Sequence, residues 1–345
     1  MSRRFAVRYD LLRDQVKYAE AKSAGPAQVS MDLHRKVKRM FTGDLILPGS
    51  ADPMTDRLRP VLLLDGKEYP LGQFVLTGLR LLQRGKERVF RCEGQDLGYL
   101  VLRSRTEKRL FFQKGQRYTD AVQNLLQSCG IRSASVKSSE KVFACDRCDW
   151  EVGSSVLDVI DALLEEIGYV SLWFDRNGVA QVYPHRRPTA EQIDHRYGPG
   201  RESSYGLIKT DFSRESDLFA RCNVMTVLCE NPDLGLPMIA TAVNDDPDSP
   251  LAVRRAGRIM APLVKVKNIP DQAALQEYAQ QLLWEATAAQ ETTVIETEKN
   301  PLHECGDILA LEGKTAPGIY QEIGWTLQLS AEGSMEHRLR RGMIL

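Results

Sequence analysis

In the first third of the chain, apolar residues recur in short runs separated by turn residues, the spacing of half-buried strands. Thr42 to Leu47 is one such run, followed by the loop Pro48 to Pro53. Pro60 to Leu64 is the next, closed by Asp65-Gly66, a dipeptide suited to the positive φ of a tight hairpin. Gln73 to Thr77 continues toward Leu82, and a turn at Arg84-Gly85-Lys86 returns the chain through Arg88 to Cys92. Successive hairpins of this kind predict a small antiparallel barrel or sandwich.

The period then changes. Between Thr119 and Cys129 the apolar positions are 121, 122, 125, 126 and 129, a helical stripe that stops at Gly130. Ser154-Ser155 opens a second helix with Val156, Ile160, Leu163, Leu164 and Ile167 on one face and Gly168 as its stop. Asp158, three positions after Ser155, is placed to reach back to the free N–H groups of that first turn. A hairpin follows: Tyr169 to Phe174, the turn Asp175-Arg-Asn177-Gly178, and Val179 to Tyr183. From Pro184 to about Ser204 the chain is charged and punctuated by Pro184, Pro188 and Gly198-Pro199-Gly200, a linker composition.

The last third is strand-rich again. Arg221 to Glu230 and Pro237 to Asn244 flank the turn Asn231 to Gly235. One helix, Asp271 to about Ala289, carries Ala274, Leu275, Tyr278, Ala279, Leu282, Leu283 and Ala286 along one face. Thr292 to Thr297 and Asp307 to Leu311 read as strands. Tyr320 to Ser330 alternates, with Ile323, Trp325, Leu327 and Leu329 assigned to one side.

Composition narrows the classes. With 43% apolar and 27% charged residues, the chain is neither disordered nor membrane-spanning, since no stretch approaches the roughly 20 apolar residues a bilayer requires. The N-terminus lacks the apolar run of a secretory signal. A length of 345 residues favours two or three domains. The net charge of zero hides a segregation: residues 1–150 hold 28 Lys and Arg against 17 Asp and Glu, and the remainder 18 against 29. Oppositely charged halves can be solvated faces or complementary contact surfaces.

No catalytic motif emerges. HExxH and GxSxG are absent from the sequence. Gly313-Lys314-Thr315 lacks the Gly five positions earlier, where Ile308 stands, and Pro317 opposes the helix a phosphate loop needs. Asn244 to Pro250 is acidic but misses the Gly and Glu of a calcium loop and reads as a solvated turn. Glu165 and Glu166 are neighbours on a helix, so they point about 100° apart. His34, His185, His195, His303 and His337 are scattered. The run from His34 to Arg39 reads as an exposed basic strand face. Seven cysteines without a signal fit a reducing compartment. Cys145-Asp-Arg-Cys148 forms a CxxC with no second pair to complete a zinc set, so its assignment is structural, with a metal or redox role left open.

The order of segments resembles the tail (baseplate) hub proteins of tailed bacteriophages and related prophages. Val29 to Arg39 through Phe41-Thr-Gly43, Asp56 to Pro60, Leu64-Asp-Gly66 and Tyr69 to Phe74 look like their opening barrel. Gly94 to Leu97 resembles the joining strand, and the two helices with Tyr169 to Tyr183 the inserted module. Asp245 to Pro250, the helix with Tyr278-Ala279 and Leu282-Leu283, Asn300-Pro301, Gly306-Asp307, Trp325 to Ser330 and Ser334-Met335 complete the series. The stretch up to Gly25 and the Cys145/Cys148 pair depart from it.

The resemblance implies a mainly β fold with an α/β insert, in which two tail-tube-like β-barrel domains are joined by a small helix-helix-hairpin module. The expected division is 1–105 for the first barrel with its N-terminal extension, 106–190 for the insert, and 191–345 for the second barrel with one packed helix. It further implies a non-enzymatic homotrimeric ring in the virion tail, assembled in the host cytoplasm. Such a ring adapts the tail tube to the tip and contacts the distal tail protein ring, the tape-measure protein and tip or fibre proteins. DNA passes through its channel without specific binding. No catalytic, cofactor-binding or metal residue is expected. The rival readings are a tail-associated cell-wall hydrolase or endopeptidase and a receptor- or glycan-binding tip module.

Overall fold

The N-terminal stretch that the sequence pattern leaves unplaced is a long hairpin, β1 (Phe5–Arg13) and β2 (Val16–Asp32). Asp14 and Gln15, at φ 50° and 69°, make the two-residue turn between Arg13 and Val16, which pair directly. Such a turn matches the twist of the flanking strands. The computed structural model describes all residues except 1–4, 85–86, 187, 190, 199–212, 216–221, 232, 234, 248, 250, 289–291, 313–316 and 342–345.

The hairpins expected in the front block follow as β3 (Arg39–Ile46), β4 (Arg57–Leu64), β5 (Lys67–Pro70), β6 (Phe74–Arg84) and β7 (Glu87–Asp96). Asp65 and Gly66, both at positive φ, turn β4 into β5, as the dipeptide predicts. The turn residues Gly85 and Lys86 lie outside the described residues. Strand order runs β1-β4-β6-β7-β3-β2, and β2 pairs back with β1, so six antiparallel strands close on themselves and leave no free edge. Inward positions fill the interior: Tyr9, Leu11, Val29, Met31, Phe41, Leu45, Leu58, Leu62, Phe74 and Cys92 share one core. Outside it, Asp10 is fully buried under Arg8, Lys17 and Arg59, at 2.7, 2.9 and 2.9 Å.

After β7 come α1 (Gly98–Arg103), α2 (Tyr118–Ser128), β8 (Ala134–Val136), α3 (Val156–Glu166), β9 (Trp173–Phe174) and β10 (Ala180–Val182). Asp96 accepts the Gly98 N–H at 2.8 Å and the Arg39 N–H at 2.8 Å, so one buried carboxylate opens α1 and holds the start of β3. The helices stop at Gly130 and Gly168, both at positive φ, and they pack with β8 to β10 around a second core. The expected capping of α3 is absent. Ser155 makes no side-chain cap bond; its hydroxyl donates to Leu102 O, and Asp158 instead pairs with Lys36 at 2.5 Å.

The rear holds β11 (His195–Tyr197), β12 (Ser213–Glu215), β13 (Val224–Cys229), β14 (Met238–Val243), α4 (Val253–Ala256), β15 (Leu263–Val266) and α5 (Gln272–Ala288). It ends with β16 (Thr292–Thr297), β17 (Ile308–Leu311), β18 (Gly318–Gln328) and β19 (Met335–Arg340). The strands β14-β13-β15 form a small sheet under the apolar face of α5, where Leu275, Ala279 and Leu283 are buried. The other rear strands continue the front sheet, because residues 28–32 of β2 pair with 324–328 of β18.

Two expectations need correction here. The alternation assigned Ile323 to the face of Trp325, yet the register shifts between Glu322 and Gly324. The extra residue is Ile323, which is half-buried, whereas Glu322, Trp325, Leu327 and their partners Leu339, His337 and Met335 are all buried. A bulge of this kind exchanges the faces on either side of it. The basic run is likewise not an exposed strand face: His34, Arg35 and Lys36 are exposed but lie in a turn, whereas Lys38 and Arg39 are 4% and 1% exposed. Lys38 Nζ donates to Leu33 O. The Arg39 guanidinium donates to Leu71 O, pairs with Glu304 and lies over the Trp325 ring.

The seam between β2 and β18 needs a glycine. A Cβ on Gly324 would come within 2.8 Å of the Met31 carbonyl oxygen, whereas one on Gly49 would meet nothing. Gly324→Ala is therefore expected to lower unfolding stability by about 1–3 kcal/mol, the usual range for overpacking. Gly49→Ala leaves it within roughly 0.5 kcal/mol. Urea denaturation of both variants checks the contrast.

Candidate functional site

Glu322, 1% exposed, is the acid that the bulge turns inward. Its Oε2 accepts from His303 Nδ1 at 2.6 Å and its Oε1 from His337 Nδ1 at 2.5 Å. His303 Nε2 meets the Tyr197 hydroxyl at 2.7 Å, and that hydroxyl accepts from Asn300 at 3.2 Å. His337 Nε2 meets Thr297 Oγ1 at 2.8 Å. His195 stacks on His303 with ring centres 3.9 Å apart and bonds Asp307 through Nε2 at 3.0 Å. Three histidines that the chain scatters over more than 140 positions thus meet in one cluster, spanning β11, β16, β18, β19 and the loop after β16.

The electrostatics follow from this packing. Burial opposes a charge on Glu322, but the two imidazoles facing it outweigh that cost and hold the carboxyl at about 2. Burial pushes His303 below its ordinary value. A neutral His303 then donates to Glu322 and accepts from Tyr197, which agrees with the hydroxyl's bond from Asn300. Burial also works against a charged His195, and Asp307 prevails, raising it.

Thr297, His337 and Glu322 have the spacing of a nucleophile, base and orienting acid. Their geometry does not serve that chemistry. All three are 0–1% exposed, so no substrate reaches them. The single Thr297 hydroxyl proton goes to Glu298 O at 2.8 Å, which makes its oxygen an acceptor toward His337 rather than a donor.

Two triplets of this cluster, His303–Glu322–His337 and His195–His303–Asp307, could hold a metal by proximity alone. Tetrahedral zinc with ligands at about 2.0–2.1 Å separates them by about 3.3 Å. The contacts of 2.5 and 2.6 Å to Glu322 are instead those of charge-assisted hydrogen bonds, and His303 Nε2 is taken by Tyr197. The donor set closes on itself.

The remaining singled-out residues fall elsewhere. Cys145 and Cys148 are free thiols, and among the described residues neither joins a cluster of three ligating groups. Burial raises the Cys145 thiol, the wrong direction for a redox nucleophile. What that loop contributes is Arg147, 4% exposed, which pairs with Asp149 and Glu166 at 2.5 Å each and stacks over Trp150. Glu165 accepts from Tyr278 on α5 at 2.7 Å, so the adjacent carboxylates serve different contacts. Asn244 folds its loop back onto Ser249 at 3.1 Å. Gly313, Lys314 and Thr315 lie outside the described residues. Glu322 escaped the sequence reading, and its one signal was Gly324 inside a strand, a common mark of a bulge.

Glu322→Gln puts an amide N–H against an imidazole N–H and removes a buried charge partner. The expected loss is about 3–5 kcal/mol of unfolding stability, read by chemical denaturation. Wild-type stability also has a pH signature. Below the ordinary histidine value of 6.5 the unfolded chain takes up a proton that native His303 refuses, so this contribution declines as pH falls through 6.5. A second decline begins below 4.5, where unfolded Glu322 protonates and the native group does not. Asp96 and Asp161, both raised by burial to about 6, act in the opposite direction. The His303 contribution is therefore measured as the difference between wild type and His303→Asn, whose decline near 6.5 is expected to be shallower, the remainder coming from His34 and His185, which burial also lowers.

No family model matches the chain, and no curated protein does. Solved structures match over nearly its whole length. A tail protein from Neisseria meningitidis MC58 superposes with TM-score 0.67 at 16% identity, covering 97% of this chain and 96% of its own. The 43 kDa tail protein of prophage MuSo2 from Shewanella oneidensis gives 0.67 at 10% identity over 97% and 98%. The prophage tail protein gp18 of Listeria monocytogenes EGD-e gives 0.61 at 10% identity over 97% and 94%. The chain is mainly β and has the fold of phage and prophage tail proteins.

Proposed function

We propose that this chain is a structural subunit of a phage or prophage tail, specifically a baseplate hub protein that assembles as a homotrimer. The observation that carries the reading is end-to-end correspondence with tail proteins, with 97% of this chain matched to 96% of the Neisseria protein. In this reading residues 1–105 are the first tube-type barrel, 106–190 the insert, and 191–345 the second barrel. Two barrels per copy give three copies six tube-type units, which suits a ring between a sixfold tube and a threefold tip. The subunit acts by shape, surrounds the DNA channel without binding DNA specifically, and contacts the distal tail ring, the tape-measure protein and tip or fibre proteins within the virion. Charge segregation supports it. A head-to-side ring needs two different patches on each subunit, and a basic front half and an acidic rear half supply opposite signs. The closed Glu322 network supports it too, because the densest polar chemistry among the described residues is sealed from any substrate.

The oligomeric mass at micromolar concentration tests the proposal, measured by native mass spectrometry with and without the neighbouring tail ring protein. A species of three times 38.9 kDa that images as a ring with an open axis is the expected result. A monomer under both conditions, or a lytic band on host envelopes that disappears with one point substitution, overturns it.

A further inference from the structure

Where the front ring, the insert and the rear sheet meet, a cavity of about 160 Å³ lies apart from the Glu322 cluster. Arg340, His34, His185 and Glu285 line it. Arg340 is 5% exposed. Its Nε donates to Gln321 at 2.8 Å and its guanidinium lies 4.7 Å over the Trp284 ring. Its two terminal nitrogens have no hydrogen-bond or ion-pair partner among the described residues. His34, which is exposed, and His185, which is half-buried, line the same space, and neither imidazole has a hydrogen-bond partner among the described residues. Arg186 also lines it but is held by Asp194 at 2.9 Å.

We propose that this cavity binds a small free oxyanion, with inorganic phosphate as the representative. A guanidinium taken out of water requires a partner, and a planar fork with two free N–H edges matches two oxygens of one anion. The stacking on Trp284 and the bond to Gln321 fix that fork in advance, so little order is lost on binding. Glu285 is the only acid lining the cavity among the described residues. It accepts from Gln281 at 2.9 Å and forms no ion pair with Arg340; its charge favours the guanidinium from a distance without overcoming the burial that lowers it. Burial first, and then Arg340 nearby, hold His34 below its ordinary value. Burial does the same to His185, with Arg340 adding to it and Glu285 and Glu165 opposing. Around His34, Lys38 adds to the lowering, and Asp32 and Glu285 oppose it. An anion between the two rings reverses that direction.

The site does not depend on the assembly reading and is tested on the isolated full chain. Imidazole-detected NMR follows the histidines during titration with inorganic phosphate, against chloride at matched ionic strength. The expected result is a saturable change at His34 and His185 toward the protonated form, with His195, His303 and His337 unmoved and chloride without effect. Arg340→Met abolishes the response. His185→Gln weakens phosphate about tenfold and Glu285→Gln tightens it about tenfold, each equivalent to about 1.4 kcal/mol. Should Arg340→Met not fold, the opposite signs of the two milder variants decide. No saturation, an equal response to chloride, or a Glu285→Gln variant that binds no more tightly than wild type overturns the site.

Discussion

A carboxylate removed from water must be met on both oxygens or it unfolds its surroundings. Glu322 is met by two imidazoles, and each imidazole is met in turn by a hydroxyl, Tyr197 for His303 and Thr297 for His337. These partners come from strands far apart in sequence, so the rear strands can occupy one arrangement in which every donor finds its acceptor. Apolar packing beside it is modest: the core of Tyr197, Ile295, Leu309, Leu311, Tyr320 and Leu339 is the smallest apolar cluster among the described residues. Directional bonds therefore specify what contact area alone would leave loosely defined.

The same logic fixes the front ring to the rear. Arg39 starts β3, yet its guanidinium reaches Leu71 O, Glu304 and the Trp325 ring. Glu304 also accepts the Arg176 N–H from the insert hairpin. One partly buried ion pair thereby joins all three parts of the chain. The insert is held to α5 by Lys141–Glu277 and by Tyr278–Glu165, and Tyr118 donates to Asn268 O nearby.

Much of this architecture was legible wherever one local rule dominated. The Asp65-Gly66 turn, the stripes of α2 and α3, the hairpin around Gly178 and the face of α5 follow from periodicity and turn chemistry. The misreadings share a cause, which is a local signal overridden by contacts distant in sequence. Period two placed Ile323 inward because nothing local showed that one residue would bulge. The basic run looked solvated because the groups that bury Lys38 and Arg39 lie far along the chain. β1 and β2 looked unclassifiable because charged residues alternate through them, and Asp10 is accommodated only once Arg8, Lys17 and Arg59 surround it. The histidine cluster has no local signature, since its members lie on separate strands and a loop.

β2 has a mechanical consequence. Its first residues pair with β1, residues 22–31 with β3, and its last residues with β18. A single continuous backbone is thus a stave of the closed ring and a rib of the rear sheet at once. No flexible linker separates these parts along that path, so torque applied to one end of the molecule travels through peptide bonds and ladder hydrogen bonds to the other. Along that path the chain is a stiff strut, with no hinge between the closed ring and the rear sheet.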